Sequence, residues 1–288
     1  MLTKITLPVL LLAFALIAYQ QSTAPTTPVA YCCDQASVRA FTQLAQDPAF
    51  VAKHENPLPF HFENRAGEMI TYKTPDGQTA KAFYIKAAKK SKHFLFVFQE
   101  WWGLNDYIRQ EASRFAGDLS NVNIIAPDMY DGNVATNRDE AAKYMQATKP
   151  ERLEAIIQGA LNFAGPKAKI ATVGWCFGGG LSLNASLLAQ KKAAACVMYY
   201  GMPIQDIEKL KTLETQVLGI FGKEDKWINP EVVAEFERNM ATAGKTVKIK
   251  MYEADHAFAN PSNPKYQKDF AEEAYQASLG FIKSGLGL

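Results

Sequence analysis

Apolar runs alternate with amphipathic stretches along most of the chain, and this pattern predicts alternating strands and helices. Continuous apolar runs of this length are typical of strands buried on both faces of a parallel sheet. These runs lie at 94–98, 123–127, 169–174, 193–200 and 216–222, followed by a last strand at 246–252. Segments with helical spacing lie at 106–119, 139–147, 151–163, 181–190, 231–243 and 265–283. We therefore expect right-handed crossovers and a mostly parallel sheet with helices on both faces.

A different pattern precedes this core. The spacing over 38–53 predicts one short helical segment. Two strand-like runs that meet at the sequence TPDG, residues 74–77, predict an N-terminal β-hairpin. The sequence thus divides into an N-terminal helical extension over 31–65 and a single α/β domain over 66–288.

The first 30 residues have the composition of a targeting segment. One lysine precedes the uncharged apolar run 5–19, which is shorter than the about 20 residues of a membrane span. We expect a signal peptide and linker over 1–30 and an exported protein, periplasmic or extracellular. Cleavage after Ala18 or after Ala30 stays open, and an uncleaved membrane anchor or a lipid on Cys32 are the alternatives.

Composition and charge narrow the class of protein. The chain has 288 residues, 48% of them hydrophobic, which is enough to bury a full core. The formal net charge of +2 is not concentrated in basic tracts, so we expect no nucleic-acid partner. No His, Cys or carboxylate pair has the spacing of metal ligands, so we expect no metal site and no cofactor. A monomer acting on a small molecule fits these features best.

Candidate chemistry lies where the predicted strands end, because ligands bind beside the carboxyl ends of parallel strands. Cys176 follows the strand 169–174 in the sequence GWCFGGG. This stretch matches the nucleophile elbow G-x-S-x-G with cysteine in place of serine, in which glycines allow a tight turn that exposes the nucleophile. The alternative is an inert buried cysteine in a glycine-rich turn.

Two further strand ends carry an acid and a histidine. Asp225 follows the strand 216–222 and His256 follows 246–252, so the order nucleophile, acid, histidine is that of hydrolase triads. Glu224 is a neighbouring competitor of Asp225. The other three histidines, His54, His61 and His93, come before the parallel core is half built and are not expected in the site.

Five motifs together resemble the dienelactone hydrolase family, whose members are cysteine-dependent enzymes with the α/β-hydrolase fold. They are QEWWGLNDYIRQEASRFA (99–116), APDMYDG (126–132), GWCFGGG (174–180), GKEDKWINP (222–230) and DHAFAN (255–260). The resemblance implies hydrolysis of a lactone or an activated ester through a Cys-His-Asp triad and a thioester. Cys176 would be the nucleophile, His256 the base and later the acid, and Asp225 the carboxylate that orients the histidine.

The resemblance also implies supporting roles. Glu100 would hold the resting thiol and help to activate it, and the backbone N–H groups of Trp101 and Phe177 would form the oxyanion hole. A carboxylate at the end of a buried strand is costly to bury without a partner, which agrees with such a role for Glu100.

The sequence departs from the family where arginines clamp the substrate carboxylate. Those positions read Asp-Gly-Asn at 131–133 and Ala-Asn at 259–260. Without a bidentate arginine, a neutral or bulkier ester, lactone or thioester becomes as plausible as dienelactone. Trp102, Tyr130 and Tyr200 are candidates for the walls of an aromatic pocket. A thiol redox protein and a non-catalytic binding protein on a hydrolase scaffold are the alternative functions.

Overall fold

One eight-stranded sheet organises the part of the chain that the computed structural model describes, residues 35–63 and 66–288. The predicted signal peptide and the adjacent Cys32 and Cys33 lie outside these residues. The strands are β1 (Glu68–Lys73), β2 (Thr79–Ile85), β3 (His93–Phe98), β4 (Asn123–Pro127), β5 (Lys169–Trp175), β6 (Ala193–Tyr199), β7 (Val217–Gly222) and β8 (Val247–Tyr252).

The strands are arranged in the order β1-β2-β4-β3-β5-β6-β7-β8. β1 and β2 form the predicted hairpin, and β2 also runs antiparallel to β4. Every other neighbouring pair is parallel. The predicted fold class, a mostly parallel sheet with an N-terminal hairpin, is therefore confirmed. The carboxyl ends of β3, β5, β6 and β7 meet at one edge.

The described helices lie between and around the strands. They are α1 (Gln35–Leu44), α2 (Pro48–Lys53), α3 (Asp106–Asp118), α4 (Arg138–Ala147), α5 (Pro150–Ala164), α6 (Phe177–Ala189), α7 (Ile207–Leu210), α8 (Pro230–Thr242) and α9 (Lys268–Leu286). None of them is both long enough and apolar enough to cross a membrane, as far as the described residues go.

Three helix predictions were wrong in their bounds, the last of them over 265–283, where the helix covers Lys268–Leu286. The segment 38–53 forms two helices, because Asp47 accepts a hydrogen bond from the N–H of Ala49 and Pro48 begins a new helix there. The helix predicted from residue 181 begins at Phe177 instead, directly after Cys176. The glycines that suggested a loop are part of the first helical turn, where they permit close contact with the sheet.

The two faces of the sheet carry different helices. α3 and α9 pack together on one face, where the rings of Phe115 and Tyr275 lie 4.8 Å apart. On the other face, Ser182 of α6 donates a hydrogen bond of 2.8 Å to the carbonyl of Val197 in β6. Tyr199 of β6 reaches α9 instead, through a 2.7 Å hydrogen bond with Ser278. Ser182 also contacts the sulfur of Cys196 at 3.6 Å, so Cys196 and Tyr199, which point to opposite faces of β6, contact different helix layers, as a doubly covered sheet requires.

The N-terminal segment, residues 35–63, covers the end of α6 that carries Cys176. The ring of Phe41 in α1 lies 6.0 Å from the ring of Phe177. After α2, Lys53 forms a 2.5 Å ion pair with Asp255 on the loop after β8. These contacts fix the segment across the carboxyl edge of the sheet.

We predict that Gly178→Ala destabilises the protein, while Gly280→Ala does not. A Cβ on Gly178 would lie 2.4 Å from the backbone oxygens of Phe98 and Gln99, which cannot move without breaking β3. Such overpacking costs about 1–3 kcal/mol or more of unfolding free energy. Gly280 lies on the exposed side of α9 with nothing within 4 Å, so alanine there is expected to add about 0.5–1 kcal/mol. Urea unfolding measures both; equal stability of Gly178→Ala and wild type would contradict the close contact.

Candidate active site

The turn between β5 and α6 presents Cys176 at the carboxyl edge of the sheet. Cys176 has a backbone φ of 56°, a conformation that non-glycine residues rarely adopt. A Cβ on Gly174 would lie 2.0 Å from the oxygen of Gly178, so both flanking positions need glycine. The geometry is that of the predicted nucleophile elbow, and the sulfur lies at the N-terminus of α6. The Cys176 side chain is nevertheless buried, with 1% of the residue exposed.

Asp225 and His256 form a buried pair. His256 Nδ1 lies 2.6 Å from Asp225 Oδ2. The other carboxylate oxygen, Oδ1, accepts hydrogen bonds from the backbone N–H groups of Trp227 and Ile228 at 2.9 and 3.0 Å. These contacts fix the carboxylate, so Nδ1 of His256 must carry the proton that it donates to Asp225. Glu224, the predicted competitor, is exposed and makes no such contact with His256.

Cys176 lies beside His256, and a second histidine lies beside both. The sulfur of Cys176, one ring nitrogen of His256 and one of His54 all lie within 4.8 Å of one another. Cys176 is a free thiol, as is Cys196, which lies in the core on β6. The structure thus brings together the three predicted triad residues, and it adds His54, which the sequence analysis had set aside.

Burial and neighbouring charges have opposing effects on the pKa values of Cys176 and His256. Burial raises the pKa of the Cys176 thiol, the neighbouring His256 lowers it, and the Glu100 carboxylate raises it again. Burial alone would lower the pKa of His256, but the charge of Asp225 raises it well above its ordinary value. The raised pKa of His256 makes this ring a strong acceptor for the thiol proton.

Glu100 is buried at the end of β3, where two neutral groups hold it. Tyr200 donates a hydrogen bond of 3.3 Å to Oε1, and the amide of Asn260 donates a short one to Oε2. Burial raises the pKa of Glu100 to about 7, although the charge of His256 opposes that shift. Both the protonated and the ionised carboxyl are therefore populated near neutral pH. Asn260 occupies one of the positions where the family has arginine, and here its side chain holds Glu100.

The predicted aromatic residues all lie near the site. Trp102 lines the pocket beside His256, and the ring of Tyr200 lies 5.1 Å from the ring of His256. Tyr130 is stacked 6.0 Å from Phe177. All three are buried. Tyr200 therefore holds Glu100, Trp102 borders open space, and Tyr130 supports the first turn of α6.

Of the two residues predicted to supply the oxyanion hole, Phe177 directly follows Cys176. The N–H of Phe177 is hydrogen-bonded to the Cys176 sulfur, where it lowers the thiol pKa. Trp101 is the third residue after β3, and its indole Nε1 is buried with no hydrogen-bond partner among the described residues. The structure places both residues at the same edge of the sheet as the sulfur.

His54 reaches the site from the C-cap of α2. Its Nδ1 lies 2.7 Å from the carbonyl oxygen of Phe50, which can only accept, so Nδ1 must be the donor. Its ring packs 4.6 Å from Trp101 and 5.4 Å from His256. Burial and the charge of His256 lower the pKa of His54 to about 3. His54 is therefore a neutral imidazole, and no spacing signal in the sequence links it to residues that lie so far along the chain.

The pocket beside His256 contains lysines but no unpaired cation among the residues that line it. Lys53 pairs with Asp255 at 2.5 Å, and Lys265 pairs with Glu55 at 2.9 Å. Arg152, which lines a separate pocket beside Tyr130, pairs with Asp131 at 2.6 Å. Each cation is thus already neutralised by a carboxylate.

Comparisons with known proteins agree on one family. The model of the dienelactone hydrolase family matches residues 81–286. "Protein usf" of Aquifex pyrophilus is 28% identical over 70% of this chain and 93% of its own length. Carboxymethylenebutenolidase 1 of Cupriavidus pinatubonensis is 22% identical over 65% of this chain and 84% of its own.

A solved structure is similar in fold. A dienelactone hydrolase-like promiscuous phosphotriesterase from metagenomic libraries matches 76% of this chain and 99% of its own, with a TM-score of 0.66 and 19% identity. The α/β-hydrolase fold predicted from the sequence is thereby confirmed. His54 lies outside the residues that the family model matches.

We predict that Asp225→Asn lowers kcat for ester hydrolysis by about 10³–10⁴-fold, because an amide cannot fix the histidine tautomer or stabilise its charged form. The matched variant is Glu224→Gln, which removes the neighbouring exposed carboxylate and is expected to change kcat by less than about tenfold. Steady-state kinetics compare the two. A loss in Glu224→Gln as large as in Asp225→Asn would contradict the assignment.

Proposed function

The chain belongs to the dienelactone hydrolase family and is an ester or lactone hydrolase, and on this premise we propose that it cleaves a neutral lactone or an activated ester through a thioester on Cys176. The observation that carries the proposal is the convergence of the Cys176 sulfur with the His256–Asp225 pair at one edge of the sheet. The buried elbow and the fixed carboxylate support it.

The proposed mechanism is acyl transfer. His256 accepts the thiol proton, and the Cys176 thiolate attacks the ester carbonyl carbon. The backbone N–H groups of Phe177 and Trp101 stabilise the oxyanion, and the N-terminus of α6 adds its dipole. His256 then gives its proton to the leaving alkoxide or enolate. A water molecule, deprotonated by His256, attacks the thioester and releases the acid and the free thiol.

Glu100 affects the first step, in which Cys176 loses its proton and becomes a thiolate. Its negative charge raises the pKa of the Cys176 thiol, so the ionised carboxylate opposes formation of the thiolate. With a pKa of about 7, Glu100 gains a proton readily, and the neutral carboxyl removes that opposition. A substrate that favours the neutral form of Glu100 thus removes one of the two influences that raise the thiol pKa, while desolvation continues to oppose the thiolate.

The substrate class follows from the charges beside the site. The two lysines that line the pocket are each paired with a carboxylate, so neither is free to clamp an anionic substrate. Asn260 is committed to Glu100. Trp102 and Phe258 supply apolar surface beside the carboxylates of the pocket, which suits a neutral acyl or aryl group better than an anionic one. Because thiolates expel strongly basic leaving groups poorly, enol and aryl esters fit best.

We further propose that the protein is exported, on the basis of the apolar run 5–19 behind a single lysine. Sequencing the N-terminus of the protein recovered from the culture medium or periplasm tests this. An intact Met1 on a cytoplasmic protein would overturn it.

We predict that Cys176→Ala abolishes hydrolysis of p-nitrophenyl acetate, since the nucleophile is removed. Cys196→Ala is the matched variant, because it removes the other described buried thiol, and it is expected to keep the activity. Wild type should also show an acetyl group on the peptide that contains Cys176 after rapid acid quench and mass spectrometry. Equal rates in wild type, Cys176→Ala and His256→Ala would overturn the proposed function.

We predict that a negative charge on the substrate lowers kcat/KM. Phenyl acetate and an aryl acetate with a carboxylate on its ring form a suitable pair, with the charge as the main difference. Without a free cation, desolvating the carboxylate is not compensated, so the anionic ester should react at least about tenfold more slowly. A faster reaction of the anionic ester would contradict the proposed substrate class.

A further inference from the structure

His54 brings an unused ligand atom into the site. Because its Nδ1 donates to the carbonyl of Phe50, the neutral ring has its lone pair on Nε2. That Nε2 atom is buried and has no hydrogen-bond partner among the described residues. A buried acceptor without a partner is costly, and nothing in the proposed hydrolytic mechanism requires it.

His256 presents a second nitrogen of the same kind. Its Nδ1 is committed to Asp225, and its buried Nε2 faces the Cys176 sulfur. The Cys176 sulfur completes the group, with all three ligand atoms within 4.8 Å of one another. Sulfur and Nε2 of His256 share one proton between them, so no donor is left for His54.

We propose that His54, Cys176 and His256 bind one zinc ion, and that this ion reversibly blocks the nucleophile. Two imidazoles and a thiolate form a ligand set that suits zinc, and three protein ligands leave a fourth position for water. Zinc with bonds of about 2.0–2.3 Å places its ligand atoms about 3.3–3.7 Å apart, so the three side chains need to close by only about 1 Å. Forming the zinc–sulfur bond releases the proton that sulfur and His256 share.

The surroundings of both histidines match those of metal ligands. Metal-bound histidines usually donate their second ring N–H to a carboxylate or a backbone carbonyl, which fixes the ring and its tautomer. His256 has the carboxylate of Asp225 and His54 has the carbonyl of Phe50. Both groups are in place without the ion, so the site is preorganised.

An entry path exists as well. His54 and His256 both line the pocket that opens beside them, together with the carboxylates of Glu55 and Asp255. With Glu224 the lining has three carboxylates against two lysines, so the mouth carries a net negative charge that favours a cation over an anion. Since His54 belongs to the N-terminal segment, bound zinc would also tie that segment to Cys176 and His256.

Metal binding is tested first without reference to activity. The full chain, reduced and stripped of metal, is titrated with cobalt(II), which reports tetrahedral sites by its visible bands and thiolate ligands by a charge-transfer band. Both signals should be present in wild type and lost in Cys176→Ser. The apparent Kd for cobalt should rise at least about tenfold in His54→Ala and in His54→Gln.

The control variant is His61→Ala. His61 lies on the same N-terminal segment, but it is exposed and contacts Asp106 at the surface. It should bind cobalt as wild type does. Equal affinities of His54→Ala, His54→Gln and wild type would overturn the proposal.

X-ray absorption of the zinc-loaded wild type is a test that needs no variant. Zinc bound by one sulfur and two imidazoles supports the site, and a ligand shell without imidazole overturns it.

Inhibition is tested on phenyl acetate, and this part rests on the proposed function. Zinc should inhibit wild type and His61→Ala, a chelator should restore the rate, and the inhibition constant should rise at least about tenfold in His54→Ala. An inhibition constant that is the same in His54→Ala would overturn the proposed block. If the metal-free wild type does not hydrolyse the ester, the proposed function fails, while the cobalt titration still decides whether the metal site exists.

Discussion

The close approach of α6 to the sheet is the constraint on which the site depends. At Gly174 and Gly178 the backbone of the β5–α6 turn lies against its own chain and against β3, where no Cβ fits. That approach forces Cys176 into a positive φ and directs its sulfur to the carboxyl edge of the sheet. Tyr200, directly after β6, and Ala257, in the loop after β8, also have positive φ. Backbone strain is thus concentrated beside the reactive group, where the packed sheet can maintain it.

Much of the fold and most of the site could be predicted from the sequence, because both depend on local patterns. Apolar runs locate the buried strands, and strand ends locate Cys176, Asp225 and His256. The helix break at Asp47 and Pro48 was also readable, since both residues are common at helix starts, but the apolar spacing on either side concealed it. The early start of α6 was missed because glycine disfavours helices, whereas here contact with the sheet overrides that preference.

His54 could not be predicted, for a physical reason. Its place in the site results from a tertiary contact: α2 packs Phe50 against Trp227 at 5.1 Å, and this contact carries His54 to the catalytic edge. Only residues inside one element, or at the ends of neighbouring strands, can be related by sequence pattern. The sequence analysis expected no metal site for the same reason. Metal-ligand spacing detects only ligands that are close in sequence, and His54, Cys176 and His256 are far apart in the chain. The role of Asn260 was hidden similarly, since an amide opposite Glu100 is visible only in three dimensions.

The N-terminal segment changes how the chemistry must proceed. With 1% of Cys176 exposed, an ester can reach the sulfur only after side chains above it move. The segment is held there by aromatic packing around Phe50 and by the Lys53–Asp255 pair, whose lysine is partly exposed and therefore contributes little. The packing must then provide most of the attachment. An apolar substrate that inserts between these rings would replace the contacts that it breaks, whereas a charged one would not. The cover over the nucleophile and the pairing of the two lysines that line the pocket thus both favour the neutral ester of the proposed function.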